Sequence, residues 1–247
     1  MCEFQPRLLD IVLATGYNEY GKVGECFMYH TAIFDLDGTL LDTLDDLHAA
    51  VNGALDAYGL PCRSRDEVRQ FVGNGVARLM ELAVPDGRDH PCFEDCLATF
   101  KEMYAKGCEN LTKPYGGVCE LLASLRARGV HVAIVSNKFD AAVKRLSDKY
   151  FGGLVEVAVG ERESEGIRKK PAPDMIFDAI ATLGVPLDGS VYVGDSDVDI
   201  ETARAAGIPC ISVTWGFRDR DFLNAHGGEI FADCAEELRD MICPRVD

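Results

Sequence analysis

The apolar run Ala32-Ile33-Phe34 leads directly into Asp35-Leu36-Asp37-Gly38-Thr39, so two carboxylates one residue apart stand where a strand stops at a glycine. Alternate residues of an extended chain face the same way, and two unit charges about 4 Å apart repel by roughly 4 kcal/mol at an effective dielectric near 20. A bound cation or a shared proton relieves that cost, and either makes the pair a catalytic candidate. Two more polar strings, Ser136-Asn137-Lys138 and Asp195-Ser196-Asp197-Val198-Asp199, also follow short apolar runs.

Those strings need a scaffold that brings them together. Apolar strand-like segments at 130–135, 155–159, 191–193 and 211–213 alternate with helical patterns at 118–125, 142–146, 175–183 and 200–206. Such a rhythm predicts an α/β fold, a Rossmann-like parallel sheet with helices on both faces and a crevice at the carboxyl ends of its strands. Between Thr43 and Lys113 the pattern is helical only. Leu44, Leu47, Val51, Leu55 and Tyr58 recur at three- and four-residue steps, and further helices are expected over 66–72, 76–83 and 93–106. The chain therefore divides into a core of residues 28–43 and 114–247 and an inserted all-helical cap domain over 44–113. Residues 1–27 precede the first strand, and Met28 onward reads like a complete start. We expect either a misassigned start codon or a genuine N-terminal extension in which Leu8 to Leu13 add an edge strand.

With 247 residues and 47% hydrophobic content the chain can bury a sizeable core and fold alone. A formal charge of −16 argues against nucleic-acid backbones and anionic membranes as partners, since both demand a basic surface. An anionic small molecule then needs a local exception, supplied by a metal or a few placed Lys and Arg. The ten cysteines are scattered through apolar patterns and read as reduced core residues, and Cys92-x-x-x-Cys96 lacks the partners of a zinc site. With no bilayer-length apolar segment and no signal-like N-terminus, the expectation is a cytoplasmic protein, monomeric or homodimeric.

Asp35-x-Asp37-Gly38-Thr39 closing the first strand, Ser136 at the end of the second, Lys170 before Pro171 and the Gly194-Asp195-Ser196 motif together resemble the haloacid dehalogenase-like phosphohydrolases. The resemblance implies a phosphatase acting on a small phosphorylated metabolite, with Asp35 as nucleophile forming an aspartyl-phosphate. Asp37 would be the general acid and base, in surroundings that favour a held proton. Ser136, Asn137 and Lys170 would bind the phosphoryl group, Lys170 also neutralising the nucleophile. Mg²⁺ would be held by Asp35, the backbone carbonyl of Asp37 and Asp195, with Asp199 either binding a metal-bound water or orienting the lysine.

The stretch Phe71 to Met80 resembles the cap loop of phosphoglycolate phosphatases, which makes Arg78 a candidate for a substrate carboxylate. Same-fold alternatives are a pyrophosphatase, a sugar-phosphate phosphatase, a 5′-nucleotidase or a β-phosphoglucomutase. Asp37 counts against the dehalogenases, which lack the second Asp. The mutases carry a cap histidine where this chain has Leu47, with His48 next door. A non-catalytic phosphate-binding protein is the alternative of another class, and it predicts loss of an essential group.

Overall fold

The structure, a computed structural model, describes residues 28–244. The segment expected to be an extension or a misassigned start, 1–27, lies outside them. Eight strands occur among the described residues: β1 (Thr31–Phe34), β2 (Leu41–Asp42), β3 (Lys113–Pro114), β4 (His131–Phe139), β5 (Val157–Glu161), β6 (Ser190–Gly194), β7 (Cys210–Val213) and β8 (Ile230–Ala232). Six of them form one sheet in the order β5-β4-β1-β6-β7-β8, with every neighbouring pair parallel. The expected α/β architecture is present.

Side chains of the central strands alternate between two apolar cores, as a period of two requires. Phe34, Ile134 and Val193 pack on one face with Leu121, Leu125 and Leu238, while Ile33, Ala133 and Tyr192 pack on the other with Ile176 and Ala203. The first face is covered by helices α5 (Val118–Ala127) and α10 (Ala235–Ile242), the second by α7 (Asp174–Leu183) and α8 (Asp197–Ala206). Both faces are dry, which explains why these strands read as unbroken apolar runs. Strand β8 escaped the sequence reading because three residues carry no measurable period. Strand β4 runs further than expected, and its register shifts between Val135 and Phe139, so Ser136-Asn137-Lys138 lie within an irregular strand end and not beyond it.

Between the antiparallel pair β2 and β3 the chain makes only helices: α1 (Leu44–Ala57), α2 (Arg65–Phe71), α3 (Val76–Ala83) and α4 (Phe93–Gly107), with a short 3₁₀ turn among them. The apolar stripe of α1 (Leu47, Val51, Leu55) is buried in the same cluster as Phe93, Leu97 and Phe100 of α4. Where the chain leaves this unit, the buried Asp46 carboxylate accepts hydrogen bonds from the Leu111 N–H (3.0 Å), the Thr112 N–H (2.9 Å) and the Thr112 hydroxyl (2.8 Å). Asp46→Ala strands two backbone donors, which costs about 3 kcal/mol and lowers Tm by about 9 °C. A Tm within about 2 °C of the parent contradicts that role.

Cys62, Cys92, Cys96, Cys108, Cys119, Cys210, Cys234 and Cys243 are free thiols, but only Cys96, Cys108 and Cys243 are buried. The expectation that cysteines sit in the core holds for a minority of these. Among the described residues no helix is long and apolar enough to cross a membrane.

Candidate active site

The carboxyl ends of β4, β1 and β6 lie side by side at the middle of the sheet. Phe34 is level with Ile134 on one side and Val193 on the other, and the Asp35 N–H donates to the Val193 carbonyl at 2.8 Å. Neighbouring strands are about 4.8 Å apart, so Asp35, Ser136 and Asp195, one or two residues past those positions, meet at one mouth of the sheet. All three line the same cleft, together with Asp37, Asn137 and Lys170.

Asp195 is fixed from both sides. The Thr39 hydroxyl donates to its Oδ1 (3.2 Å) and the Phe217 N–H to its Oδ2 (2.7 Å). Two glycines make room for it. A Cβ on Gly38, whose φ is +88°, would collide with the Asp195 carboxylate, and one on Gly216 would meet Asp195 and the Gly38 carbonyl. The turn after β1 therefore serves the third strand's carboxylate as much as its own.

Lys170 is buried, with its ammonium 2.8 Å from Asp35 Oδ1 and 2.7 Å from Asp199 Oδ1. It also donates to the Tyr192 hydroxyl at 3.1 Å. The contact to Asp35 is an ion pair and not an aligned hydrogen bond, which leaves that oxygen without a hydrogen-bond donor. Asp199 is engaged on every side: its Oδ2 accepts from the Ser196 hydroxyl (2.5 Å) and from the Ser196 and Asp195 N–H groups (3.1 and 3.2 Å). Of the two roles left open by the sequence, these contacts match the one that orients the lysine.

The charges do not balance. Asp35, Asp195 and Asp199 each bring an oxygen within 4.8 Å of the others, against one ammonium. Burial pushes the Asp35 carboxyl up, Lys170 pulls it down, and Asp199 and Asp37 push it up again, leaving it at about 7. Burial, then Asp199 and Asp35, raise the Asp195 carboxyl well above the ordinary range. Burial lowers the Lys170 ammonium, but Asp199 and Asp35 outweigh it and hold the proton firmly. A buried excess of hard carboxylate oxygens, one of them lacking a donor, fits a small divalent cation held by Asp35 and Asp195.

Three expected residues are placed differently from the sequence reading. Asp37 faces a cation that the sequence reading did not place beside it. The Lys138 ammonium sits 2.6 and 2.8 Å from its two oxygens, because the irregular end of β4 turns Lys138 inward. Asn137 is a clamp and not a free phosphate ligand. Its Oδ1 accepts from the Lys170 N–H (2.8 Å), and its Nδ2 donates to the carbonyls of Lys170 and Gly73 (3.1 Å each). Arg78 is half exposed, pairs with Glu81 three residues on at 2.8 Å and does not line the cleft. Ser136 is buried and faces the cleft as expected. Lys169 pairs with Glu163 at 3.2 Å at the surface, so Lys170 is the lysine that enters.

The cleft also contains Tyr104 and Arg218, which the sequence reading did not single out, and Lys138, which it named without a role. Arg218 follows β7 and donates to the carbonyls of Arg69 (2.9 Å), Gln70 (3.1 Å) and Val72 (2.9 Å). These acceptors are at the C-terminal end of α2, where backbone carbonyls lack helical partners and carry partial negative charge. Arg218→Ala is expected to expose that end, so limited proteolysis within 69–76 becomes several-fold faster. An unchanged cleavage rate contradicts the contact's importance.

A parallel sheet whose central strands bring two carboxylates and a hydroxyl to one mouth, where a buried lysine enters from the loop before α7, is an α/β arrangement suited to an anionic substrate. A family model described as haloacid dehalogenase-like hydrolase matches residues 32–213. A phosphoglycolate phosphatase of Pseudomonas putida (strain KT2440) is 35% identical over 216 residues, covering 85% of this chain and 77% of that one. Another, from Aquifex aeolicus, is 32% identical and covers 75% and 84%. Among solved structures, a candidate phosphoglycolate phosphatase from Lactobacillus delbrueckii subsp. bulgaricus superposes with a TM-score of 0.83 at 37% identity, covering 88% of this chain and all of that one. CbbY from Rhodobacter sphaeroides, solved with phosphate, gives 0.68 at 25% identity over 85% of this chain and 96% of that one. The chain belongs to the haloacid dehalogenase-like hydrolases, in their phosphoglycolate phosphatase-like branch.

Proposed function

We propose that this protein is a Mg²⁺-dependent phosphatase that hydrolyses a small carboxylated phosphate monoester of the phosphoglycolate type through an aspartyl-phosphate. The chain is a phosphoric monoester hydrolase, in keeping with its relatives of that activity. The observation that carries the mechanism is the meeting of Asp35 and Asp195, at adjacent strand ends, with Lys170 from the loop before α7. Asp35 is the nucleophile. Its oxygen attacks phosphorus in line, a new P–O bond forms, and the bond to the leaving oxygen breaks. Asp37, two residues on, protonates that oxygen and later takes a proton from the water that attacks phosphorus and frees Asp35. Lys170, held by Asp199 and Tyr192, and the Ser136 hydroxyl stabilise the phosphoryl oxygens. Asp35, Asp195 and the Asp37 carbonyl would hold Mg²⁺, which would supply charge neutralisation between two anions that otherwise repel.

The helical unit over 44–113 acts as the cap that covers the cleft and supplies its apolar wall, Val72, Val76 and Leu79. The mutase alternative is disfavoured by position: Leu47 lines the cleft, whereas His48 is held against the Arg63 carbonyl (3.0 Å). The non-catalytic alternative predicts a missing group, and Asp35, Asp37, Ser136, Lys170 and Asp195 all line the cleft. A panel of phosphate esters compared by kcat/KM with Mg²⁺ tests the assignment. Phosphoglycolate is expected near the top, and preference for a nucleotide or pyrophosphate rejects it.

A further inference from the structure

The cleft pairs its proposed general acid with a cation. Lys138 is 5% exposed and Asp37 faces it with both oxygens, so in the free enzyme the proposed acid is tied to an ammonium. Above the ammonium lies Tyr104, delivered from the last turn of α4, with its ring centroid 4.7 Å from Lys138 Nζ. Tyr104 is 2% exposed, and its hydroxyl has no hydrogen-bond partner although it lines the cleft. A buried phenol without an acceptor is costly, and one on a cleft wall points to a ligand that supplies the acceptor. Burial holds the phenol in its protonated, donating form, and Asp37 keeps Lys138 charged against the opposing effect of burial.

In-line attack by Asp35 sends the leaving group away from the sheet, towards Asp37 and the helical unit. The non-phosphate part of the substrate must therefore occupy the space that Lys138 and Tyr104 border. We propose that Lys138 and Tyr104 form the subsite for the substrate's carboxylate, and that its arrival draws the Lys138 ammonium off Asp37. Two donors from opposite walls, one on the sheet and one on the helical unit, then grip one anion. Freed of its partner, Asp37 faces the leaving oxygen. With the ammonium withdrawn, Asp37 can take a proton from solvent and pass it to the leaving oxygen, so esters lacking the carboxylate charge are turned over poorly. This rests on the phosphatase reading above and names what selects the substrate within it.

The test compares 2-phosphoglycolate with ethyl phosphate, which replaces the carboxylate by a methyl group, on the full chain with Mg²⁺. The quantity read is the ratio of their kcat/KM values. The parent enzyme is expected to favour phosphoglycolate strongly. Lys138→Met should lower the ratio by about 30-fold and Tyr104→Phe by about fivefold, the loss of a charged and of a neutral hydrogen bond. Ratios within about twofold of the parent in both folded variants overturn the proposal, whatever the absolute rates. So does a parent enzyme that treats the two esters alike. If Lys138→Met fails to fold because Asp37 loses its partner, Tyr104→Phe, which keeps that ion pair, decides alone. A parent that prefers phosphoglycolate while both variants keep its ratio removes this inference and leaves the phosphatase reading intact. A parent that hydrolyses neither ester removes both.

Discussion

Asp35→Asn is expected to abolish turnover, by about 10⁴-fold or more, because an amide oxygen is not a nucleophile that phosphorus will accept at neutral pH. The loss should lie in kcat, with substrate still bound by Ser136 and Lys170. The fold is not the casualty. Asn occupies the same space and removes one charge from a crowded group of three carboxylates, and Lys170 keeps its 2.7 Å contact to Asp199. The ion-free variant should therefore melt no lower than the parent. Retained turnover, or a collapsed melting transition, contradicts this account of Asp35.

Chelation of divalent cations is expected to stop the reaction completely, and added Mg²⁺ to restore it. The same cation should stabilise the fold in a pH-dependent way, and the sign follows from Asp35. Its folded value of about 7 is above the ordinary carboxylate value of 3.8, so the folded ion-free protein holds that proton more tightly than the unfolded chain. The stability this contributes is fully present below about pH 4 and is lost as pH rises through about 7. A cation replaces the proton, so Mg²⁺ should raise Tm little at pH 5 and more at pH 8. At a hundredfold excess over Kd the gain is about 2.7 kcal/mol, or roughly 5–10 °C. Equal shifts at the two pH values would show that no proton is displaced.

The sheet and its mouth were legible in the sequence because buried parallel strands are written as short apolar runs, and three of those runs end in a polar string. Asp35 and Asp195 could thus be named before their contacts were known, and Lys170 from the family resemblance of the lysine before Pro171. What escaped depends on distance in the chain. Tyr104 continues the spacing Phe93, Leu97, Phe100 and reads as one more core residue, and only the packing of α4 shows its hydroxyl left in the cleft. Lys138 was visible as polar, but its turn towards Asp37 comes from a register shift in β4 that carries no local signature. Asp46 is an acid in the first turn of a helix, an ordinary placement, and its partners come from residues 111 and 112. Arg78 shows the opposite error. A glycine-led helix start suggested an anion site, but Glu81 is three residues along the same face and takes the guanidinium.

The central claim is that Asp35 carries the phosphoryl group. Rapid quenching of the enzyme during turnover of phosphoglycolate, followed by borohydride reduction and peptide mass spectrometry, examines it at the atom concerned. Reduction of an aspartyl-phosphate converts the residue to homoserine, and the account predicts that change at Asp35 alone, absent without Mg²⁺. Modification of Asp37 or Asp195 instead, or of none of them during steady turnover, would contradict it.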